Sequence, residues 1–383
     1  VTMKISNKGG QIVEVLLKNF KTYDSVPVYL VKDGNSSFAL NFSTSDNRVL
    51  NTKDLFFEPT LTKNGNSSVL SMKAKLSNNQ FLEYRYEIKP DDYMVDFAIK
   101  SQGLNGVINS SKPINLDWKL KAIRHSKSIQ YENRYSRLTY NHEDGKISKL
   151  SDSSDDDEET ETDVKWISFR QHFFSSILAT NTPFETARLS SKNLVTEESH
   201  TQEYMKDYSA SEIPLKLEGG ELAYNFDWYY GWINQYFFTP LFTFLSSMLP
   251  AGIAIIVMTI LVRLAMSPVT YKSYLSQAKM KVLKPEIAEI NEKYKDNAMK
   301  RQQETMKLNN KAGVSPLSGC IPALIQMPIF YALFSFFPTS FALRQKSFLW
   351  ADDLSSYDTI AQLPFTIPFY GDHVSLFPIL ASI

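Results

Sequence analysis

One residue in this sequence stands where its charge is costly. Arg263 lies in Thr259-Ile260-Leu261-Val262-Arg263-Leu264-Ala265-Met266, with an apolar stretch before it and polar residues only from Ser267 onward. A guanidinium facing lipid there costs several kcal/mol, so it either lines a polar cavity or reaches toward the headgroups. Lys272, about two and a half helical turns or ~13 Å further on, marks how near those headgroups would be. Thr259, Arg263 and Ser267 recur at i, i+4 and i+8 and share one helix face. Ser315, Ser318, Pro322 and Gln326 repeat that spacing in a second apolar segment. Two such stripes predict a wet groove with a positive charge, in which Arg263, Thr259, Ser267, Gln326 and Ser318 bind substrate. The groove would hold the hydrophilic segment of a translocating chain, sparing its polar groups the cost of crossing hydrocarbon and favouring acidic side chains. Ser and Thr in apolar helices also bond their own backbone, so the stripe depends on Arg263.

Other chemistries find no support. There is no H-E-x-x-H, no G-x-S-x-G, no glycine-rich phosphate loop and no paired Cys or His, so no catalytic residue, metal ligand or cofactor is assigned, and no ATP motif supplies energy. His172, inside the aromatic run Trp166 to Phe174, reads as structural. Cys320 is the single cysteine, which rules out an intrachain disulfide, and its apolar surroundings predict a buried, unreactive thiol. Forty-one basic residues balance forty-one acidic ones, which argues against binding a specific nucleic-acid sequence through overall charge. The run Asp152 to Asp163 is mostly acidic and predicts a disordered surface loop, without the glycine pivot of a calcium loop. Asn35-Ser36-Ser37, Asn66-Ser67-Ser68 and Asn109-Ser110-Ser111 fit the glycosylation triplet, as chance allows in a Ser- and Asn-rich chain.

The elements that must position Arg263 belong to a membrane half. Mean hydropathy is only −0.25, yet Trp228 to Val262 and Ala312 to Leu343 contain no Asp, Glu, Lys or Arg. Each run exceeds the roughly 20 apolar residues that cross a bilayer. The Trp and Tyr cluster at 228–232 favours the headgroup layer, so the first run divides into an interfacial amphipathic helix at 223–248 and a spanning helix at 249–271. The second span covers 314–340. Between them, Tyr271 to Ala312 holds ten Lys or Arg against five Asp or Glu, whereas Leu343 to Asp372 holds two against four. Positive loops stay in the cytoplasm. Segment 272–313 is then a cytoplasmic two-helix hairpin, with Val282, Ile287, Ile290 and Tyr294 at helical spacing and a turn near Asn297. Residues 341–372 form an outer loop, and 373–383 open a further, truncated span; both ends of the sequence read as truncations.

Residues 1–222 follow a period of two. Leu82/Tyr84/Tyr86/Ile88 and Tyr93/Val95/Phe97/Ile99 flank the turn Lys89-Pro90-Asp91-Asp92, a hairpin signature, and Ile114/Leu116/Trp118/Leu120 repeat the alternation. Many short strands broken by turn residues predict an antiparallel sandwich. The fold class is thus a multidomain membrane protein: an antiparallel β domain outside the membrane, then an α-helical membrane core with a cytoplasmic hairpin.

From Gly9-Gly10 to Ile383 the sequence resembles the bacterial YidC family of membrane protein insertases. Trp166 to Phe174 looks like that family's periplasmic signature. More specific are Ile260 to Arg263 with Ser267-Pro268-Val269-Thr270, then Ala278-Lys279-Met280. Most specific is Pro316 to Leu333 (PLSGCIPALIQMPIFYAL), similar almost residue for residue to the family's third membrane helix. The resemblance implies a β-supersandwich periplasmic domain, an interface helix and a five-helix core in the inner membrane, enclosing a hydrophilic groove. Arg263 stands where the family has its groove arginine, Thr259 and Gln326 match groove-lining positions, and Ser318 stands where a glycine is frequent. Leu343-Arg344-Gln345, Trp350 and Asp353-Leu354 fit the family's following outer loop. The resemblance also implies partners: nascent membrane proteins as clients, the Sec translocon, the ribosome and membrane lipids. Clients and ribosome would meet the hairpin, with Lys279, Lys281, Lys284, Lys293 and Lys295 as contacts. The family's first membrane helix and last two core helices are missing from the sequence.

Two rival classes make different predictions. A membrane-anchored carbohydrate-binding or carbohydrate-modifying protein requires a cleft with aromatic platforms and paired carboxylates in the β domain. A channel or transporter requires internal repeats and charged rings, which these two apolar segments do not contain.

Overall fold

The structure is a computed structural model that describes residues 1–150, 156–195, 201–232, 239–295, 297–312, 321–367 and 371–382. The chain forms two units, Val1–Asn234 and Gln235–Ile383.

The first unit is antiparallel β. Strands β1 (Thr2–Ile5), β2 (Ile12–Lys21) and β3 (Pro27–Val31) make a small sheet. The main sheet begins with β4 (Ser36–Ser43), β5 (Val49–Asn51), β6 (Glu58–Asn64), β7 (Ser67–Ser77), β8 (Gln80–Ile88), β9 (Met94–Gln102) and β10 (Ile114–Ile123). A short helix α1 (Ile129–Tyr135) leads to β11 (Arg137–His142), β12 (Lys146–Lys149), β13 (Asp157–Arg170), β14 (Phe174–Asn193), β15 (Tyr204–Leu215) and β16 (Ala223–Trp232). The strand order is β5-β4-β10-β15-β14-β16-β9-β8-β7-β6, with β13 also on β14 and β11 bridging β13 to β12. The 20-residue β14 joins two groups of strands: residues 174–180 pair with β16, and residues 188–193 pair with β15.

The core closes where these groups face each other. Trp118 of β10 meets Trp228 of β16 edge to face at 4.8 Å, and Phe38 of β4 meets Phe97 of β9 at 5.4 Å. Such pairs add about 0.5–1.5 kcal/mol each beyond the area they bury. The expected alternation holds: Leu82, Tyr84 and Tyr86 of β8, Val95, Phe97 and Ile99 of β9, and Ile114, Leu116, Trp118 and Leu120 of β10 are buried. The hairpin turn places Asp91 at φ 55°, a left-handed conformation that Asp tolerates. Gly103 needs such a conformation too, at φ +65°, and a side chain there would put Cβ 2.5 Å from the Asn79 carbonyl oxygen.

Three expectations are corrected. The helix expected from residue 223 is a strand up to Trp232: β16 pairs with β9 and β14, and Phe226, Trp228 and Tyr230 are buried. An aromatic cluster with period two suits a sandwich interior as well as a headgroup layer, and the sheet takes it. The unit boundary accordingly falls at Asn234, not at 222. The acidic run is not a loop from Asp157 onward but part of β13, laddered to β14 from Asp157↔Ser191 to Thr162↔Thr186. Its charges have partners: Tyr140 donates to Glu159 and, at 2.9 Å, to Glu161, His142 Nδ1 lies 3.0 Å from Glu161, and Arg188 pairs with Glu158 at 2.6 Å. Residues 151–155 lie outside the described ones.

Two sequence features resolve simply. His172 is buried, stacked 5.1 Å from Tyr135 and 3.9 Å from Phe173, as a structural histidine would be. Asn35 of the first glycosylation triplet is buried, its side chain donating to the Leu30 and Lys121 carbonyls.

The β9–β16 register sets Asp96 directly opposite Asp227. Partial burial, then the Asp96 charge, raise the Asp227 carboxyl above its ordinary range. A raised carboxyl favours folding below its unfolded value, and that contribution disappears as pH rises through the folded one. Asp227→Asn is therefore expected to stabilise the β unit at pH 7 by a few tenths to about 1 kcal/mol, discounted for solvent screening, and not at pH 3. Urea unfolding at the two pH values checks it; an equal effect at both would refute the like-charge account.

The second unit is mainly helical: α2 (Thr239–Met248), α3 (Ala251–Val282), α4 (Lys284–Lys293), α5 (Ala298–Lys311) and α6 (Ile321–Thr339). A 3₁₀ turn at Phe341–Leu343, a hairpin of β17 (Ala361–Ile367) and β18 (Gly371–Val374), and α7 (Leu376–Ser382) follow. Segment 341–372, expected as a loop, is thus partly ordered as strands, and Asn297 caps α5 by accepting from Lys300 N. The small core contains Phe242 and Leu245 of α2, Ala254 and Met258 of α3, and Phe336 of α6. Among the described residues no helix is long and apolar enough to cross a membrane. The chain's 32-residue α3 continues unbroken into the basic segment, and residues 313–320 before α6 lie outside the described ones.

Candidate functional site

Helical geometry puts Thr259, Arg263 and Ser267 on one face of α3. The packed face runs through Ala254 and Met258, and one position on, Thr259 is half-buried. Arg263 is about 140° round the helix from Met258 by the 100° step per residue, and it is exposed, as is Ser267. Among the described residues Arg263 makes no hydrogen bond or ion pair. Thr259 Oγ1 donates back to the Ile255 carbonyl at 2.8 Å, the self-bonding that apolar helices allow. Pro268 lies inside α3. Its missing N–H leaves the carbonyl of Leu264, the residue next to Arg263, without its helical donor.

Gln326 lies on α6, but its side chain, like the whole of Ser318 and Cys320, is outside the described residues. The structure therefore describes the side chains of the α3 stripe and not those of the second stripe. The five hairpin lysines are exposed: Lys279 and Lys281 in the last turn of α3, Lys284 and Lys293 at the ends of α4, and Lys295 beyond it. Lys295 pairs with Glu292 at 3.6 Å and Lys293 Nζ lies 5.9 Å from the Tyr294 ring centre, weak contacts at an exposed surface.

Sequence spacing does not show what holds segment 341–372. Gly252 of α3 is buried against Phe348: a Cβ there would lie 2.0 Å from Phe348 Cδ2 and 2.7 Å from its Cβ. Asp358 accepts from Trp350 Nε1 at 2.8 Å and from the Leu376 and Phe377 amides at 2.8 and 3.0 Å, tying the segment to the start of α7. The Gly in Pro250-Ala251-Gly252 carried the only sequence signal, since it weakens a helix start that Ala would favour. Gly252→Val is expected to cost about 1–3 kcal/mol through overpacking, and Phe348→Ala in the same chain to recover most of it. Thermal unfolding of the four members of that cycle measures the coupling; additive losses would mean the two residues do not meet.

The chain matches the family model of the YidC periplasmic domain over residues 1–239, and that of the 60Kd inner membrane protein over residues 243–383. The chain belongs to the YidC insertase family. Its relatives include the membrane protein insertase YidC of Parabacteroides distasonis, 38% identical over all of this chain and 66% of that protein. The YidC of Porphyromonas gingivalis is 36% identical over all of this chain and 67% of its own length, and that of Amoebophilus asiaticus 31% identical over 69%. The chain thus spans about two thirds of the length of its YidC relatives. Among solved structures, a putative aldose 1-epimerase from Escherichia coli covers 60% of this chain and 96% of its own, at 8% identity and a TM-score of 0.37. A galactose mutarotase related enzyme from Lactobacillus acidophilus covers 60% of this chain and 93% of its own, at 11% identity and a TM-score of 0.30. Likeness at that level carries no argument about activity.

Proposed function

We propose that the full-length parent of this chain is an inner-membrane insertase and chaperone that receives nascent membrane proteins in a hydrophilic groove charged by Arg263. The observation that carries the reading is the exposed Arg263, set on the side of α3 away from the small core. In this reading the first part of α3 and the helix containing α6 are the spans at 249–271 and 314–340. The basic α4–α5 pair lies in the cytoplasm, where Lys279, Lys281, Lys284, Lys293 and Lys295 meet clients or ribosome, and the β unit lies in the periplasm, on the side of the Sec translocon. Thr259, Ser267, Gln326 and Ser318 complete the groove. The client's own apolar segment drives insertion, each buried CH₂ contributing about 0.8 kcal/mol, so no covalent step or cofactor is required. The groove's task is to lower the barrier for the polar tail that must cross first.

All groove positions follow residue 234, so the β unit is expected to be dispensable for insertion itself. Deleting the β unit, residues 1–234, from the full-length parent, in cells depleted of their own insertase, should leave protease protection of a single-span client within about twofold. Loss of insertion with a folded membrane core would overturn the assignment of the activity to the helical unit.

A further inference from the structure

The β unit contains a cavity of about 400 Å³ formed by the turn after β2, the β3–β4 turn, the end of β10 and the start of β15. That volume is in the range of small-molecule sites. Tyr23, Tyr29 and Tyr204 supply aromatic surface, and Asp24, Asp33 and Glu203 supply carboxylates. Lys32 adds a donor beside them, while the Gln202 amide donates to the Leu194 and Tyr204 carbonyls and holds that wall in place. Of the two cations, Arg124 is buried and braced, and Lys32 is exposed at the rim. Arg124 donates to the Ser126 carbonyl at 3.0 Å and the Lys127 carbonyl at 2.6 Å, with its guanidinium 4.6 Å from the Tyr23 ring centre. Lys32 lies 5.0 Å from the Tyr29 ring centre and 3.4 Å from Asp33. The floor is fixed by His125 Nε2, 2.8 Å from the Tyr29 carbonyl oxygen. Tyr23 and Val26 remain exposed at the rim, at 36% and 50%.

The lining selects a ligand class. An anion would meet three carboxylates, and a cation would meet Lys32 and Arg124. A neutral polyol uses both sets, because each hydroxyl donates and accepts, while its apolar ring face covers a tyrosine. We propose that this cavity is a saccharide-binding site for one or two neutral pyranose units, independent of the insertion groove. It provides the cleft with aromatic platforms and several carboxylates that a carbohydrate-binding β domain requires.

The test uses the full-length parent in lipid nanodiscs, free of sugar detergents, and saturation-transfer difference NMR. One arm presents soluble glucose- and N-acetylglucosamine-based trisaccharides; the other measures flotation with vesicles containing a glucosyl-diacylglycerol. A glucuronate trisaccharide is the charged control. Binding in the first arm assigns a free or polymer-borne sugar, and binding in the second alone assigns a lipid-borne one. In either case Glu203→Gln and Tyr23→Ala are expected to weaken binding at least tenfold with an unchanged melting profile, Glu58→Gln on β6 to leave it unchanged, and the acidic sugar to bind at least tenfold more weakly. No neutral sugar bound in either arm, equal binding of the acidic one, or indifference to both pocket substitutions would each overturn the proposal.

Discussion

Arg263→Ala and Arg263→Glu in the full-length parent are expected to reduce insertion of a small single-span client with an acidic tail by a factor of ten or more, while Arg263→Lys retains most of it. An acidic side chain at the centre of a bilayer costs about 2.5–3.5 kcal/mol on insertion scales, and a fixed positive charge in a wet groove offsets part of that. Recovering half of the cost, about 1.4 kcal/mol, is already a factor of ten. Glutamate adds repulsion and should be the most damaging. Lysine keeps the charge, although without the planar fork that holds a carboxylate by two hydrogen bonds, so a modest loss is expected. Protease accessibility of the client, at matched levels of each variant, gives the readout, and a client with a neutral tail should be far less sensitive. Normal insertion by all three variants would make Arg263 a snorkelling anchor. The exposed position of Arg263, with no partner among the described residues, fits a group that waits for one supplied from outside.

What could be read from the sequence depended on how local each feature is. The Thr259, Arg263, Ser267 stripe follows from helix geometry alone, and the structure keeps it on one face. The β8–β9 hairpin was legible because the face with Leu82, Tyr84 and Tyr86 on β8 and Val95, Phe97 and Ile99 on β9 is buried, while the opposite face is mostly only part-buried. Residues 223–232 were misread because Trp and Tyr serve a membrane interface and a sandwich core equally well; the alternating burial of Phe226, Trp228 and Tyr230 appears only once β9 and β14 lie on either side. The acidic strand was misread for the complementary reason. Its charges look unpackable until Tyr140, His142 and Arg188, distant in sequence, are placed opposite them. Gly252 against Phe348 is of the same kind, a contact between residues far apart that no local spacing encodes.

The largest stability loss in the β unit is expected at Glu132. Its side chain is 1% exposed, and its carboxylate accepts from the His125 amide at 3.0 and 2.9 Å and from the Ser126 amide at 2.6 Å. Those amides lie on the turn between β10 and α1, whose first turn is capped by Ser128 Oγ accepting from Tyr131 N at 3.2 Å. Ser126 Oγ in turn lies 3.2 Å from His172 Nδ1, so Glu132 fixes the turn against which the Trp166 to Phe174 run packs. Glu132→Ala leaves two buried N–H groups without an acceptor, at about 1–3 kcal/mol each, and a small void besides. A loss of about 3–5 kcal/mol follows, a large part of the 5–15 kcal/mol that holds a domain together. Glu132→Gln keeps one accepting oxygen and turns an NH₂ toward donors, so about half that loss is expected. Trp118 and Trp228, both buried, report the transition by fluorescence in urea. A change within about 0.5 kcal/mol for the alanine variant would show that water or a shifted turn satisfies the two amides. Client insertion should stay near normal in the same variant below its melting temperature, which separates the β unit's stability from the charge on α3.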